Sequence, residues 1–582
     1  MEQKAFSSKP QSFPSNQPPQ SHHHYHHHHY HSNQNESKFY AISSIELKDQ
    51  LENNLEESYS KLQHLINPSQ SQQPENLQFN ELSQYANQSK AHYDEISNAL
   101  LYSILTDPSN STRCLRNLFL CNNLSFNINS NDSSHNAQNS SSSYALLITN
   151  LLNIITENYF RLLDIPRQQL LWLLKELVKT RVNQFDKLLL QMLRNIQSGL
   201  LSDKNIWLAE SILEILYDQT MTSSNTTNLE QSNSLWLYSY NELMTQSVYT
   251  YLRLISDHSQ SSALAHLKQR ETEFCCQILR EKWNECMLIG RDLVRLLQNL
   301  AKINEFNLLW KDIISSPQNL SPQFAQIGGL VHLLKLPTRK RCLISRLTVD
   351  MERKIYFIIT SVKAGQQKRY LDWFQRQYLN TAESQSLRID LIRYICVVVH
   401  PTNEQLNAGL TPRWSLCAWL LNTCTSLIDT ANLKLALFFD WIIYDAKKDN
   451  IMLIEPGILL MYYSMRPNNL ILNNINNINL TTMLFDFLCR IAINYFWPIK
   501  DCILNGIMQS FKDSVDKRVI PSLQVFFNSV NQSIDSSAGS NNKEKHQGQP
   551  ILDRDLRNLI QSTFGSFFQT LTIPTQSNPS TR

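Results

Sequence analysis

A chain of 582 residues with 53 Lys+Arg against 50 Asp+Glu carries a formal charge of only +3, so bulk electrostatics points to no polyanionic partner. Its 11 Gly are about 2% of the chain where average usage is near 7%, which argues against enzymes built on glycine-rich phosphate loops and against sheet folds with many tight turns. The 11 Cys are odd in number and form no CxxC pair, so they read as small buried hydrophobes in a reducing compartment rather than a disulfide framework.

Residues 1–38 are rich in Pro, Gln, Ser and His and offer nothing to bury, which predicts a disordered tail. Eight histidines between His22 and His31 could hold Zn²⁺ only loosely, because a flexible string lacks fixed ligand geometry. The tail has no apolar stretch of the kind a secretory signal needs. From about Phe39 to about Phe527 the apolar residues recur with helical spacing. Ala209, Ile212, Leu213 and Leu216 stand at i, i+3, i+4 and i+7, as do Leu293, Leu296, Leu297 and Leu300. The sets Leu391, Tyr394, Ile395, Val398 and Leu435, Phe438, Phe439, Ile442 repeat the pattern. Asp164, two residues before Pro166, marks a helix start, since Pro is tolerated in a first turn.

Polar inserts rich in Asn, Ser, Thr and Gln interrupt these helices at 67–90, 122–143, 219–235 and 467–480, a composition that favours turns or disorder. The organisation expected is a 1–38 tail, a 39–527 helical region with a subdivision point near 219–235, a 528–550 linker, a C-terminal helix over 551–568 and a 569–582 tail. The fold class is all-α: antiparallel helices in a HEAT- or armadillo-like α-solenoid, with polar disordered inserts. The most apolar stretch, Leu391 to His400, is too short and too interrupted by charge to span a membrane, so no membrane partner is expected.

No GxxxxGK[ST], GxGxxG, HExxH or GxSxG motif occurs, and the isolated histidines have no partner at metal-ligand spacing. The chain therefore reads as a non-enzyme with no catalytic residue, cofactor or metal. Charge, however, is segregated: residues 331–400 hold thirteen Lys or Arg against five Asp or Glu, a net +8. Tyr356, Phe357, Tyr370, Trp373, Phe374 and Tyr378 are interleaved with these charges, a mixture suited to phosphate contact with base stacking or to an acidic protein surface. Helical spacing assigns Trp373 and Phe374 to the core. The best candidate for a docking surface is GQQKRYLDWFQRQYL, Gly365 to Leu379, with Lys368, Arg369 and Arg376 as ionic contacts and Tyr370 or Tyr378 as anchors. PTRKR at Pro337–Arg341 reads either as an import signal or as a helix cap.

Several long words resemble the amino-terminal half of the Integrator complex subunit 3 family: KNIWLAESILEIL (204–216), YTYLRLISDH (249–258), GRDLVRLLQNLAKINEFNLLWKDI (290–313), GQQKRYLDWFQRQYL (365–379), SQSLRIDLIRYICVVVHPTNEQL (384–406), KLALFFDWI (434–442) and MLIEPGILLMYYSMRP (452–467). The resemblance covers about 41–568 and rests on whole helices. It implies a HEAT-like, non-catalytic nuclear scaffold, which in that family also serves the SOSS complex, a sensor of single-stranded DNA. Such a scaffold would hold an OB-fold single-stranded-DNA-binding protein and a small SOSS subunit, reaching DNA indirectly, for homologous-recombination repair and checkpoint signalling. It would also join other Integrator subunits in processing small nuclear RNA and attenuating transcription. Functions the family assigns to its second half are not expected of these residues. The reading from charge alone is different: a helical-repeat protein that binds single-stranded RNA or DNA directly through 331–400.

Overall fold

The computed structural model describes residues 37–41, 48–65, 75–125, 144–218, 235–465, 477–527, 552–565 and 567–570. The histidine tract and the 528–550 linker lie outside the described residues. Among the described residues the regular elements are helices, and strand-like pairing is confined to two isolated antiparallel bridges, Tyr40 with Leu162 and Lys363 with Leu410. The architecture is the all-α, solenoid-like stack that the apolar periodicity predicts. Neighbours in sequence pack together, as helix Asn241–His258 does on Ala265–Glu281 and helix Lys90–Thr106 on Ser111–Ser125, and helix Leu387–Val397 packs on the more distant Leu427–Phe438. One apolar core runs from Phe39 to Phe568.

Local chemistry sets the helix starts. Thr348 accepts from the Met351 amide and Ser426 from the Asp429 amide, and Thr402 with Gln405 forms a reciprocal capping box. Helix Asp164–Lys179 begins at the aspartate and carries Pro166 in its first turn. Two glycines permit close approach. A Cβ on Gly290, whose φ is +89°, would lie 2.4 Å from the Pro337 carbonyl oxygen, and one on Gly506 would lie 2.5 Å from that of Ile442. Seven of the cysteines are buried, none of the 11 forms a disulfide, and burial pushes the Cys121 and Cys489 thiols up to about 11.

The centre of the stack is charged. Arg253 on helix Asn241–His258 bonds Asp257 at 2.6 Å and Asp390 at 3.2 Å. Arg346 reaches Asp390 at 3.7 Å and the Thr250 carbonyl at 3.3 Å. Arg393 joins Asp292 at 3.0 Å to Asp440 at 2.5 Å, Arg295 adds a second fork to Asp292, and Arg291 spans Asp440 and Asp449. Asp257 also accepts from the Gly199 amide and the Ser386 hydroxyl, each at 2.9 Å. Five arginines thus face five aspartates drawn from segments scattered between residues 253 and 449.

Three sequence expectations change. Helix Glu75–Ala86 occupies part of the 67–90 insert, with Leu82 and Ala86 buried, because two well-placed apolar residues suffice to anchor a polar helix. Helix Asn477–Asn494 likewise begins inside the 467–480 insert. Towards the C-terminus, helix Arg554–Phe564 ends at Gly565, φ +59°, and Phe567–Thr570 is a separate turn, so the apolar pattern over 551–568 spans a break that the glycine makes.

Removing one member of the buried network strands its partner. Arg393→Met should lower unfolding free energy by about 3–5 kcal/mol in urea titrations. For Asp292, burial raises the carboxyl but Arg393 and Arg295 pull harder, holding it at about 2. Its folded value is below the unfolded one near 3.9, so its stabilisation is present above that value and lost as pH falls towards 2. Melting temperature should drop through that window, and less steeply in Asp292→Asn.

Candidate docking interface

Helix Val349–Ser361 carries Asp350 and Glu352 in its first turn, where the helix dipole favours negative charge. Met351, Ile355, Ile358 and Ile359 bury its inner face. The link to the next helix is fixed by the 409–411 segment: Thr411 donates its amide to the Val362 carbonyl at 2.8 Å, and Ala364 donates to Gly409 at 3.1 Å. Helix Gln367–Tyr378 then buries Gln367, Leu371 and Phe374, with Ser415 donating to the Gln367 side chain at 2.9 Å.

What these two helices leave outside is aromatic. Tyr356 is 53% exposed, Phe357 47%, Tyr370 37% and Trp373 41%. Phe357 meets Tyr370 edge-on with centroids 5.9 Å apart, and the Lys354 ammonium lies 4.5 Å from the Trp373 ring centroid. Phe357 and Tyr370 are thus half-bare rings in contact, on helices whose inner faces are packed, the kind of exposed apolar surface that a partner can cover.

Lys368, Arg369, Tyr370 and Arg376 are brought together around one surface cavity of about 650 Å³, which Gly365, Gln366 and Asp372 complete. Tyr378 is placed otherwise. It is half-buried against Phe374, and its hydroxyl is engaged by Asp350 and by Lys354 at 2.9 Å; burial and the Asp350 carboxylate push its pKa up. Phe374 is fully buried as its spacing predicts, whereas Trp373 is not the core residue expected. The signal was present: Leu371, Phe374 and Tyr378 form the inward stripe, while Trp373 lies on the Arg369–Arg376 face at i+4 and i+7.

The +8 of residues 331–400 is also redistributed. Arg346, Arg388 and Arg393 are buried, and Arg341, Arg353 and Lys354 are paired with Glu242, Glu157 and Asp350 at 2.5–2.7 Å. Lys335, Arg339, Lys340, Lys363, Lys368, Arg369 and Arg376 are exposed and make no ion pair among the described residues. The PTRKR cluster is held within the fold: Thr338 accepts from the Asp292 amide at 3.1 Å, the Arg339 amide donates to the Ile289 carbonyl at 3.4 Å, and Lys340 opens a short helix. No cluster of three metal-ligating side chains and no helix long and apolar enough to cross a membrane occurs among the described residues.

Residues 91–538, well over half of the chain, match the family model described as Integrator complex subunit 3 N-terminal. The chain belongs to the Integrator complex subunit 3 family. It is 39% identical over 541 residues to Integrator complex subunit 3 of Danio rerio, covering 93% of this chain and 46% of that protein. It is 40% identical over 526 residues to the Homo sapiens protein, and 38% over 531 residues to the Drosophila grimshawi homologue, covering 90% and 91% of this chain and 44% and 43% of those relatives. The chain therefore spans about half the length of the relatives it matches.

Two adjacent residues separate packing from presentation. Phe374→Ala should cost about 3–5 kcal/mol in denaturant titrations. Trp373→Ala should cost less than about 1 kcal/mol, the range of an exposed cation–π contact.

Proposed function

We propose that this chain is a non-catalytic docking scaffold, acting in the nucleus as part of an Integrator complex and of a single-stranded-DNA sensor. In the second role it holds an OB-fold single-stranded-DNA-binding protein and a small third subunit, serving homologous-recombination repair and checkpoint signalling. In the first it joins other Integrator subunits in small nuclear RNA processing and transcription attenuation. Membership of the Integrator complex subunit 3 family supports the assembly, and the OB-fold partner rests on the wider family resemblance.

One structural observation carries the docking part: four exposed rings, Tyr356, Phe357, Tyr370 and Trp373, on two successive helices, with Tyr370 sharing a cavity with Lys368 and Arg369, which make no ion pair among the described residues. Aromatic and arginine side chains dominate binding energy when a partner desolvates them. Here they are carried on a packed pair of helices, so little ordering cost is added on association.

The reading is tested by co-purifying the chain with the OB-fold protein and the small third component. Tyr356→Ala with Trp373→Ala, or Lys368→Glu with Arg369→Glu, should weaken the complex by about tenfold or more, which is about 1.4 kcal/mol. Unchanged affinity in folded variants removes this surface from the assignment, and native purification that yields neither Integrator subunits nor an OB-fold protein removes the assignment. The seven unpaired cations favour a second reading, direct contact with single strands. It requires tight partner-free binding that weakens steeply between 50 and 200 mM salt, on the order of 10³-fold if about six phosphates are neutralised.

A further inference from the structure

Eight arginines are buried in the described residues: Arg167, Arg253, Arg291, Arg295, Arg346, Arg388, Arg393 and Arg413. Seven of them have an Asp or Glu oxygen within 4 Å. Arg388 alone has none. Its Nη2 donates to the Thr423 carbonyl at 3.1 Å and to the Leu379 carbonyl at 3.4 Å, and its Nε to the Thr423 hydroxyl at 3.4 Å, while its buried Nη1 has no hydrogen-bond partner. A guanidinium does not shed its proton to escape this, and burying an ion without a counter-ion is costly. Burial is also the main influence on Arg388, pulling its pKa down, with Cys424 and then Asp429 opposing it.

Arg388 lines a surface cavity of about 750 Å³ on the flank of helix Gln367–Tyr378, together with Asp372, Gln375, Arg376, Asn380, Thr381, Gln385, Thr423 and Thr425. Asp372, Arg376 and Arg388 give this lining a net charge of +1, and the remaining polar groups are neutral amides and hydroxyls. Just past Thr425 stand Leu427, 88% exposed, and Ile428, 75% exposed. We propose that this cavity is a docking site for an acidic peptide segment of a partner protein, one Asp or Glu carboxylate meeting Arg388 while a neighbouring apolar side chain covers Leu427 and Ile428. A single negative charge matches the +1 lining. A dianionic phosphate or a run of phosphodiesters would bring excess charge past Asp372, which is why the peptide is favoured over nucleic acid. The cavity shares Asp372 and Arg376 with the one described above, but the groups it turns on, Arg388, Leu427 and Ile428, are not part of that docking surface.

The test is a display selection of random 12-residue peptides on the full chain, followed by affinity measurement of the enriched sequences. The expected consensus has Asp or Glu within a few positions of Leu, Ile or Phe. Binding of the enriched peptides should fall about tenfold or more in Arg388→Met, the size of a lost charge-assisted hydrogen bond, and about threefold in Leu427→Ser with Ile428→Ser. Should Arg388→Met not fold, the exposed Thr425→Glu variant decides, because a fixed carboxylate at the cavity mouth should compete with the peptide and produce the same tenfold loss. Enriched peptides without acids, or affinity unmoved by Thr425→Glu, would overturn the site. Oligothymidylate binding that the same variant abolishes would put a phosphate backbone there instead. A concentration-dependent dimer that it abolishes would put a second copy of the chain there. An OB-fold complex left unweakened by Tyr356→Ala with Trp373→Ala, with peptide binding intact, leaves this site standing and tells against the aromatic surface alone.

Discussion

The arrangement of the stack depends on buried guanidinium–carboxylate forks. Helices packed by apolar side chains alone have neighbouring registers of similar energy, since leucine and isoleucine tolerate one another's places. Forks do not tolerate this. Sliding helix Leu387–Val397 by one turn would part Asp390 from Arg253 and Arg346, and Arg393 from Asp292 and Asp440, leaving several buried ions unpaired at once. The network is neutral, five arginines against five aspartates, so the chain's +3 is expressed elsewhere. It also ties together segments as far apart in sequence as Asp257 and Ser386.

That fixation explains why a surface built on residues 349–378 can be rigid. Helix Val349–Ser361 follows three residues after Arg346, which the network holds, and Arg194 joins Glu352 to an earlier part of the stack at 2.5 Å. The turn into helix Gln367–Tyr378 is clamped by the 409–411 backbone. Rings presented from such a frame keep their positions in the free protein, and a partner that covers them gains burial without paying to order them.

The fold class was legible because helical periodicity is a local property: Ala209 to Leu216 and Leu293 to Leu300 are buried as their spacing demands. Charge was legible only as a count. Nothing in the sequence around Arg346, Arg388, Asp390 and Arg393 distinguishes them from solvated residues, and the partners that bury them lie far away along the chain, at positions such as Arg253, Asp292 and Asp440. The +8 of residues 331–400 therefore overstated the surface. Trp373 failed for a related reason: helix Gln367–Tyr378 carries four aromatic residues, more than its inner face can cover, so Tyr370 and Trp373 remain outside. Lys368, Arg369, Tyr370 and Arg376 do share a cavity, which their i, i+1, i+2 and i+8 positions alone do not require. Tyr378 needed knowledge of Asp350 and Lys354 on the preceding helix.

The same helix separates two kinds of cation. On one flank Lys368 and Arg369 are bathed in solvent, where an unpaired charge costs little and contributes mainly to the rate and selectivity of encounter. On the other, Arg388 is buried, where an unpaired charge is expensive whenever the site stands empty. A fold that supplies every other buried arginine with a carboxylate yet withholds one from Arg388 keeps that cost only where something outside the described residues can relieve it. Solvent-exposed cations give no comparable signal, because water satisfies them whether or not a partner ever arrives.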